Sequence, residues 1–323
     1  MKPFFDIGPA IIVLDLAAHE ENLPIFRASA DVDAAGLSYE PPRLHASLSP
    51  TELSWRLVRA ALVPLLVNLM LFSDSDHPEL VRHIRMAWRR FRRALRLSIS
   101  VCELDDLPDL SSFHFLMRQL GQLRDTEVAR LDVLDRIKTQ FILKYVGQEP
   151  SVSELEKSLE MTAQLQRQAI RKWLLDSAMQ DTVWALTLWA MALFSVAKTK
   201  SPISDRTACL SDWATLQIRA VHKKFERSQD SRRNAQTRHR TRIWAKRLRF
   251  AIEDLEGLLH PPPDQWLKKA IQVQRREGEC RDLQVLVELA ERYGSWSLAH
   301  KLRKFVMSGQ IQNFMNHPAD PES

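Results

Sequence analysis

Apolar residues recur at three- and four-residue steps along most of the chain, the spacing of a helix packed on one side. Ile84, Trp88, Phe91 and Leu95 form one such stripe, and Ala245, Leu248 and Ile252 form another. Proline is absent from 79–107, 109–149, 151–201, 203–260 and 264–317. Because proline breaks a helix interior, these gaps leave room for long helices. The pattern predicts helices near 51–72, 79–103, 111–144, 151–178, 181–198, 204–229, 236–259, 264–293 and 296–310. Ser49-Pro50 and Asp76-His77-Pro78 read as helix starts, and the triple proline 261–263 as a break. The predicted fold class is all-α, with antiparallel bundles joined by short loops.

Composition agrees with that reading. The 323 residues contain only 8 Gly, too few for the tight turns of an all-β protein or for glycine-rich phosphate loops. A hydrophobic fraction of 45% excludes a disordered chain. The best candidate for a membrane span is the uncharged run Thr182–Ala197, which is shorter than the roughly 20 residues a span needs. It is expected to be a buried bundle helix. Asp15 interrupts the apolar stretch near the N-terminus, so no signal peptide is expected. Cys102, Cys209 and Cys280 lie far apart and form no CxxC, and are expected to be reduced, buried thiols of a cytoplasmic protein.

Charge is unevenly spread. Residues 1–50 carry seven acidic and three basic side chains and six of the sixteen prolines. The remaining 273 residues therefore hold a net charge of +10 out of the total of +6. Residues 1–48 are expected to form an irregular acidic extension, 49–310 a helical domain, and 311–323 a tail. In the domain, Arg82, Arg85, Arg89, Arg90, Arg92, Arg93 and Arg96 cluster without an intervening acid. So do Arg232, Arg233, Arg238, Arg240, Arg242, Lys246, Arg247 and Arg249. Arginine presents a planar fork of donors suited to phosphate or carboxylate oxygens.

The two clusters are copies. Arg85-x-x-x-Arg89-Arg90-x-Arg92-x-Ala94 matches Arg242-x-x-x-Lys246-Arg247-x-Arg249-x-Ala251 at an offset of 157. The same offset carries Arg118 to Arg275, Gly121 to Gly278, Arg124-Asp125 to Arg281-Asp282 and Val128 to Val285. An internal duplication follows, with halves of about 49–180 and 200–310. On a helical wheel Arg85, Arg89, Arg92 and Arg96 fall within about 60° of one another, beside the apolar stripe rather than opposite it. Arg242, Lys246 and Arg249 repeat this, with His239 at the edge. Two such helices related by a pseudo-two-fold axis would line a shared groove. Like charges at i,i+4 repel, so the arrangement points to a polyanion. A nearby polyanion would also raise the pKa of His239. Gly121 leaves room for a close helix. Asp125 and Asp282 fit either a neighbouring arginine or a metal or base role, and no second carboxylate or histidine sits at ligand spacing.

His239-x-x-Arg242-x-x-x-Lys246-Arg247-x-Arg249, followed by Arg281-Asp282, resembles the CHAD domain, the conserved histidine α-helical domain. The run from Arg82-His83-Ile84-Arg85 to Arg92, with Leu120-Gly121-x-Leu123-Arg124-Asp125, resembles its first half. The resemblance spans roughly 49–310. It implies two pseudo-symmetric four-helix bundles around a basic cavity that binds inorganic polyphosphate, often at polyphosphate granules. It implies phosphate contacts from Arg85, Arg89, Arg92, His239, Arg242, Lys246 and Arg249, with Arg82, Arg96, Arg118 and Arg275 as further contacts. Arg82 stands where the first half would carry its histidine, with His83 one residue on. Glu253 stands at the equivalent of Arg96. The ExExK of the companion triphosphate-tunnel domain is absent; Glu154-Leu155-Glu156-Lys157 lacks its spacing.

A non-enzymatic polyphosphate-binding module, with no cofactor and no bound metal, is the function expected. A nucleic-acid-binding helical protein is the alternative. Against it, Trp88, Trp184 and Trp189 fall in apolar stretches and read as core, and no helix-turn-helix, zinc or RRM signature occurs. A metal-dependent phosphoanhydride enzyme would need several carboxylates or a positioned nucleophile within the basic stripes, and a Walker motif is absent.

Overall fold

The computed structural model describes residues 36–102, 107–199, 207–229 and 235–307, and these are helices and connecting turns without strands. In chain order the helices are α1 (Pro50–Asp74), α2 (Pro78–Ile99), α3 (Ser111–Glu127), α4 (Asp135–Lys144), α5 (Glu149–Leu174), α6 (Ser177–Thr199), α7 (Thr207–Gln229), α8 (Ala235–Leu255), α9 (Asp264–Tyr293) and α10 (Trp296–Met307). A π-helical turn, Val128–Leu134, joins α3 to α4, so the predicted 111–144 helix is one rod with a widened turn. The 311–323 tail and most of the 1–48 extension lie outside the described residues.

Local chemistry sets the ends. Ser49 caps α1 by accepting from the Glu52 N–H, while the Glu52 carboxylate accepts from the Ser49 N–H at 2.8 Å, a reciprocal capping box with Pro50 at the first position. His77 caps α2 ahead of Pro78. Asp109 accepts from the Ser111 N–H and hydroxyl at the start of α3. Arg171 donates to the Phe72 and Ser75 carbonyls, both at 3.0 Å, satisfying acceptors around the C-terminal end of α1.

The chain forms two compact units, each built from separate stretches of sequence. The first comprises the residues up to Leu120 together with Ile170–Val273; the second comprises Gly121–Ala169 with the residues from Gln274 on. In the first unit α1 is buried almost throughout and packs along α2 and α6, with Trp55 against Phe194 at 5.0 Å, and α7 packs along α8. Residues 36–48 lie across these helices. The Leu37 N–H donates to Asn68 Oδ1, Asn68 Nδ2 returns a bond to the Leu37 carbonyl, and the Tyr39 hydroxyl donates to Asp254. The second unit has its own core: Ala129, Val133 and Phe141 meet Leu155, Leu159, Leu286, Ala290, Leu302 and Phe305, from five helical segments.

Several expectations are corrected. Thr182–Ala197 is not buried all round: Trp184 is 40% and Leu188 65% exposed, so Trp184 is not core, although Trp88 and Trp189 are. Among the described residues, the helix with the length and composition of a membrane span is α1, and most of it is buried inside the first unit. Cys102 and Cys280 are half-buried rather than buried, Cys102 Sγ lying 3.0 Å from Ser54 Oγ. The Cys209 side chain lies outside the described residues.

Candidate functional site

Burial separates the two stripes on each basic helix. On α2, Ile84, Trp88, Phe91 and Leu95 are buried, Arg82, Arg89, Arg92 and Arg96 are exposed, and Arg85 is half-buried. On α8, Ala245, Leu248 and Ile252 are buried, His239 is exposed, and Arg242, Lys246 and Arg249 are half-buried. The basic groups thus sit beside the packing interface, as the wheel predicts. Together with Arg118, these residues all belong to the first unit; Arg275 belongs to the second.

The predicted site residues are differently engaged. Arg82 pairs with Glu79 at 2.6 Å, one turn away. Arg85 donates to the Met117 carbonyl at 3.0 Å and so fastens α2 to α3. Arg118 lies over the Phe115 ring at 5.7 Å. Arg249 donates to Glu253 at 2.6 Å along its own helix. Arg242 Nε is buried and finds no hydrogen-bond partner among the described residues. Arg275 reaches Glu279 at 3.5 Å while 63% exposed. His83 is half-buried, Asp125 exposed and Asp282 half-buried.

Two arginines of the first cluster have another fate. Arg90 and Arg93 are buried and hold α2 against α8. Arg90 donates to the Phe250 carbonyl and pairs with both Glu253 and Asp254; its guanidinium stacks 4.0 Å from the Phe250 ring and 4.4 Å from Tyr39. Arg93 pairs with Asp254 at 3.2 Å and donates to the Arg247 carbonyl at 2.8 Å. These contacts are reciprocal under the 157-residue offset, which relates Arg90 to Arg247 and Arg93 to Phe250. Arg90 meets the equivalent of Arg93, and Arg93 meets the equivalent of Arg90.

The electrostatics follow from that crossing. Burial would lower the pKa of Arg90, but Asp254, Tyr39 and Glu253 hold it above the ordinary value. Burial depresses Arg93 to about 10, against the opposing pull of Asp254, and the Arg90 and Arg96 charges push it further down. Burial and then Asp254 raise the Tyr39 phenol well above its usual range. Arg96 is lowered first by burial, then by repulsion from Arg247 on α8 and from Arg92. Cations of both helices are therefore close enough to feel one another. Arg247 was not singled out as a contact by sequence; the signal was its place beside Lys246 in the second copy. It lies 4.5 Å from the Trp244 ring, whose other neighbour is Lys224 at 5.3 Å.

A pocket of about 520 Å³ lies elsewhere in the first unit, at the triple-proline turn, lined by Ile218, Arg219, His260 and Trp266 among others. None of the stripe residues lines it. Among the described residues, no group of three His, Cys, Asp or Glu side chains is placed to hold a metal ion.

Comparison with known proteins bears on this arrangement. The family profile described as the CHAD domain matches residues 56–291, well over half of the chain. The crystal structure of the CHAD domain from the plant Ricinus communis superposes with a TM-score of 0.68 at 23% identity, covering 88% of this chain and 93% of that one. The shared fold is all-helical. Comparison with curated proteins gives no match.

Proposed function

The chain belongs to the CHAD domain family, and from that premise we propose that it binds inorganic polyphosphate on the basic faces of α2 and α8. The observation that carries this reading is geometric: Arg89, Arg92 and Arg96 of α2 and Arg247 of α8 are exposed beside the crossing where Arg93 of α2 donates to the Arg247 carbonyl at 2.8 Å. Self-repulsion across a helix crossing opposes folding. A bound polyanion converts it into charge-assisted contacts. Polyphosphate carries a charge on every residue and no bases, so it needs a basic groove and no stacking platform. The groove would be framed by Arg85, Arg89, Arg92 and Arg96 with His239, Arg242, Lys246 and Arg247. Arg249 contributes less, because Glu253 holds it. Binding without turnover, in the cytoplasm and at polyphosphate granules, completes the proposal.

Nucleic acid is the competing ligand, and one observation favours testing it: Trp244, half-buried between Arg247 and Lys224, offers an aromatic ring beside the stripe. The deciding experiment is a competition. Labelled long-chain polyphosphate is bound at physiological salt and challenged with single-stranded and duplex DNA at equal phosphate concentration. Polyphosphate should survive the challenge, and the double variant Arg89→Glu/Lys246→Glu should lose it while remaining helical. Equal displacement by DNA would reduce the site to a general polyanion surface. Retained affinity in the double variant would move the site elsewhere. Phosphate release dependent on magnesium or manganese would make the protein an enzyme and overturn the non-catalytic reading.

A further inference from the structure

Helix α6 packs one side against α1 and turns the other outward. Trp184, Ala185, Leu188, Ala192 and Ser195 are exposed, with Met191 half-buried beside them, and their spacing puts them on one face. No charged side chain occurs from Thr182 to Ala197. The three hydroxyls in that run, Thr182, Thr187 and Ser195, each donate to a carbonyl one turn back in α6, at 2.7, 2.9 and 3.0 Å. Their donors are thus satisfied within the helix, so burial against an apolar partner leaves none unpaired. Charges appear only at the ends of the run, Asp181 before it and Lys198 after it, both exposed.

We propose that this face pairs with the same face of a second copy of the chain, α6 against α6, antiparallel about a two-fold axis. The pattern is self-complementary in that orientation. With the axis midway between positions 189 and 190, Asp181 of one copy meets Lys198 of the other. Trp184 then lies over Ser195, a large side chain on a small one, and Leu188 lies against Met191. A parallel pairing would set Asp181 on Asp181, Lys198 on Lys198 and Trp184 on Trp184. An isologous interface demands a patch that matches itself under rotation, and an uncharged stripe with opposite charges at its two ends does so. A single helix pair is at the small end of specific interfaces, below about 1,200 Å² in total, so the dimer should be reversible. This pairing is independent of the polyphosphate reading, whose residues lie on α2 and α8.

The test is sedimentation velocity on the full chain over a concentration series reaching about 100 µM, above the micromolar dissociation expected of so small an interface. The wild-type chain should pass from monomer to dimer. Leu188→Glu should weaken association at least tenfold with an unchanged melting curve, since Leu188 is 65% exposed. Asp181→Lys should also weaken it, and Asp181→Lys/Lys198→Asp should restore it, a rescue that antiparallel pairing requires. A chain that stays monomeric through the series overturns the proposal. That holds if residues 1–35 cover the face, and equally if it binds phosphatidylglycerol vesicles instead. Unimpaired dimers of Leu188→Glu, or a double swap no better than the single, overturn it as well.

Discussion

Asp254 answers for two guanidinium groups. Its carboxylate pairs with Arg90 and Arg93, accepts from the Tyr39 hydroxyl at 2.7 Å, and is itself 3% exposed. Replacing the whole network by apolar groups of similar volume would cost little, since burying charges offsets much of what pairing returns. Removing the carboxylate alone is different, because two buried cations lose their shared counter-charge. Asp254→Ala should therefore destabilise the protein by about 3–5 kcal/mol, measured by urea unfolding followed by circular dichroism. Arg82→Ala, which removes a side chain that is itself 56% exposed and its pair with Glu79, should cost no more than about 1 kcal/mol in the same assay. Equal losses in the two variants would mean that the α2–α8 crossing is not held by Asp254. Within one cluster, then, neighbouring arginines do opposite things: Arg89 and Arg92 stay at the surface while Arg90 and Arg93 become internal struts. The sequence marks all four as basic. Which are internal depends on an acid more than 150 residues away, which helical periodicity does not register.

At the scale of elements, the chain announces its helices clearly. Apart from Pro64 inside α1, proline positions bracket them, and the stripes Ile84–Trp88–Phe91–Leu95 and Ala245–Leu248–Ile252 face inward as their spacing requires. The Ser49-Pro50 start is a full capping box. Ser49→Ala should cost about 1 kcal/mol, because the Glu52 N–H loses its acceptor at a position where Ser49 itself is only 4% exposed. A urea midpoint unchanged from wild type would show the cap to be idle. Less was legible where an element's partner lies far along the chain. Helix α6 has an apolar composition that reads as core, yet among the described residues it packs along α1 on one side and leaves Trp184 and Leu188 exposed on the other. The segment 36–48 reads as irregular, yet Leu44 lies so close to Gly257 that a Cβ there would sit 2.2 Å from the Leu44 carbonyl oxygen. The division into two units was hidden for the same reason. Each unit takes non-contiguous stretches, and the breaks at Leu120 and Val273 fall within a few residues of the same point of the 157-residue repeat.

For the whole molecule, the uneven charge is the property with the largest reach. Residues 1–35 contain six acidic and two basic side chains, so the chain without them carries +10 rather than +6. Residues 36–48 must be kept in any truncation, because Tyr39 and Leu44 belong to the packing of the first unit. A polyanion is drawn by the summed field as well as by the groups it touches, and salt screens that field over about 8–10 Å. Removing residues 1–35 should therefore tighten polyphosphate binding several-fold at low ionic strength, and the difference should narrow as salt is raised. Binding to each form should weaken steeply with salt, as expected when cations displace condensed counterions. The comparison separates two roles of the acidic segment. An effect that fades with salt is long-range electrostatics. An effect that persists at high salt means the segment competes directly for Arg92, Arg96 and Arg247. Identical affinities at every salt concentration would remove the acidic segment from the account of binding and leave the α2–α8 face to act alone.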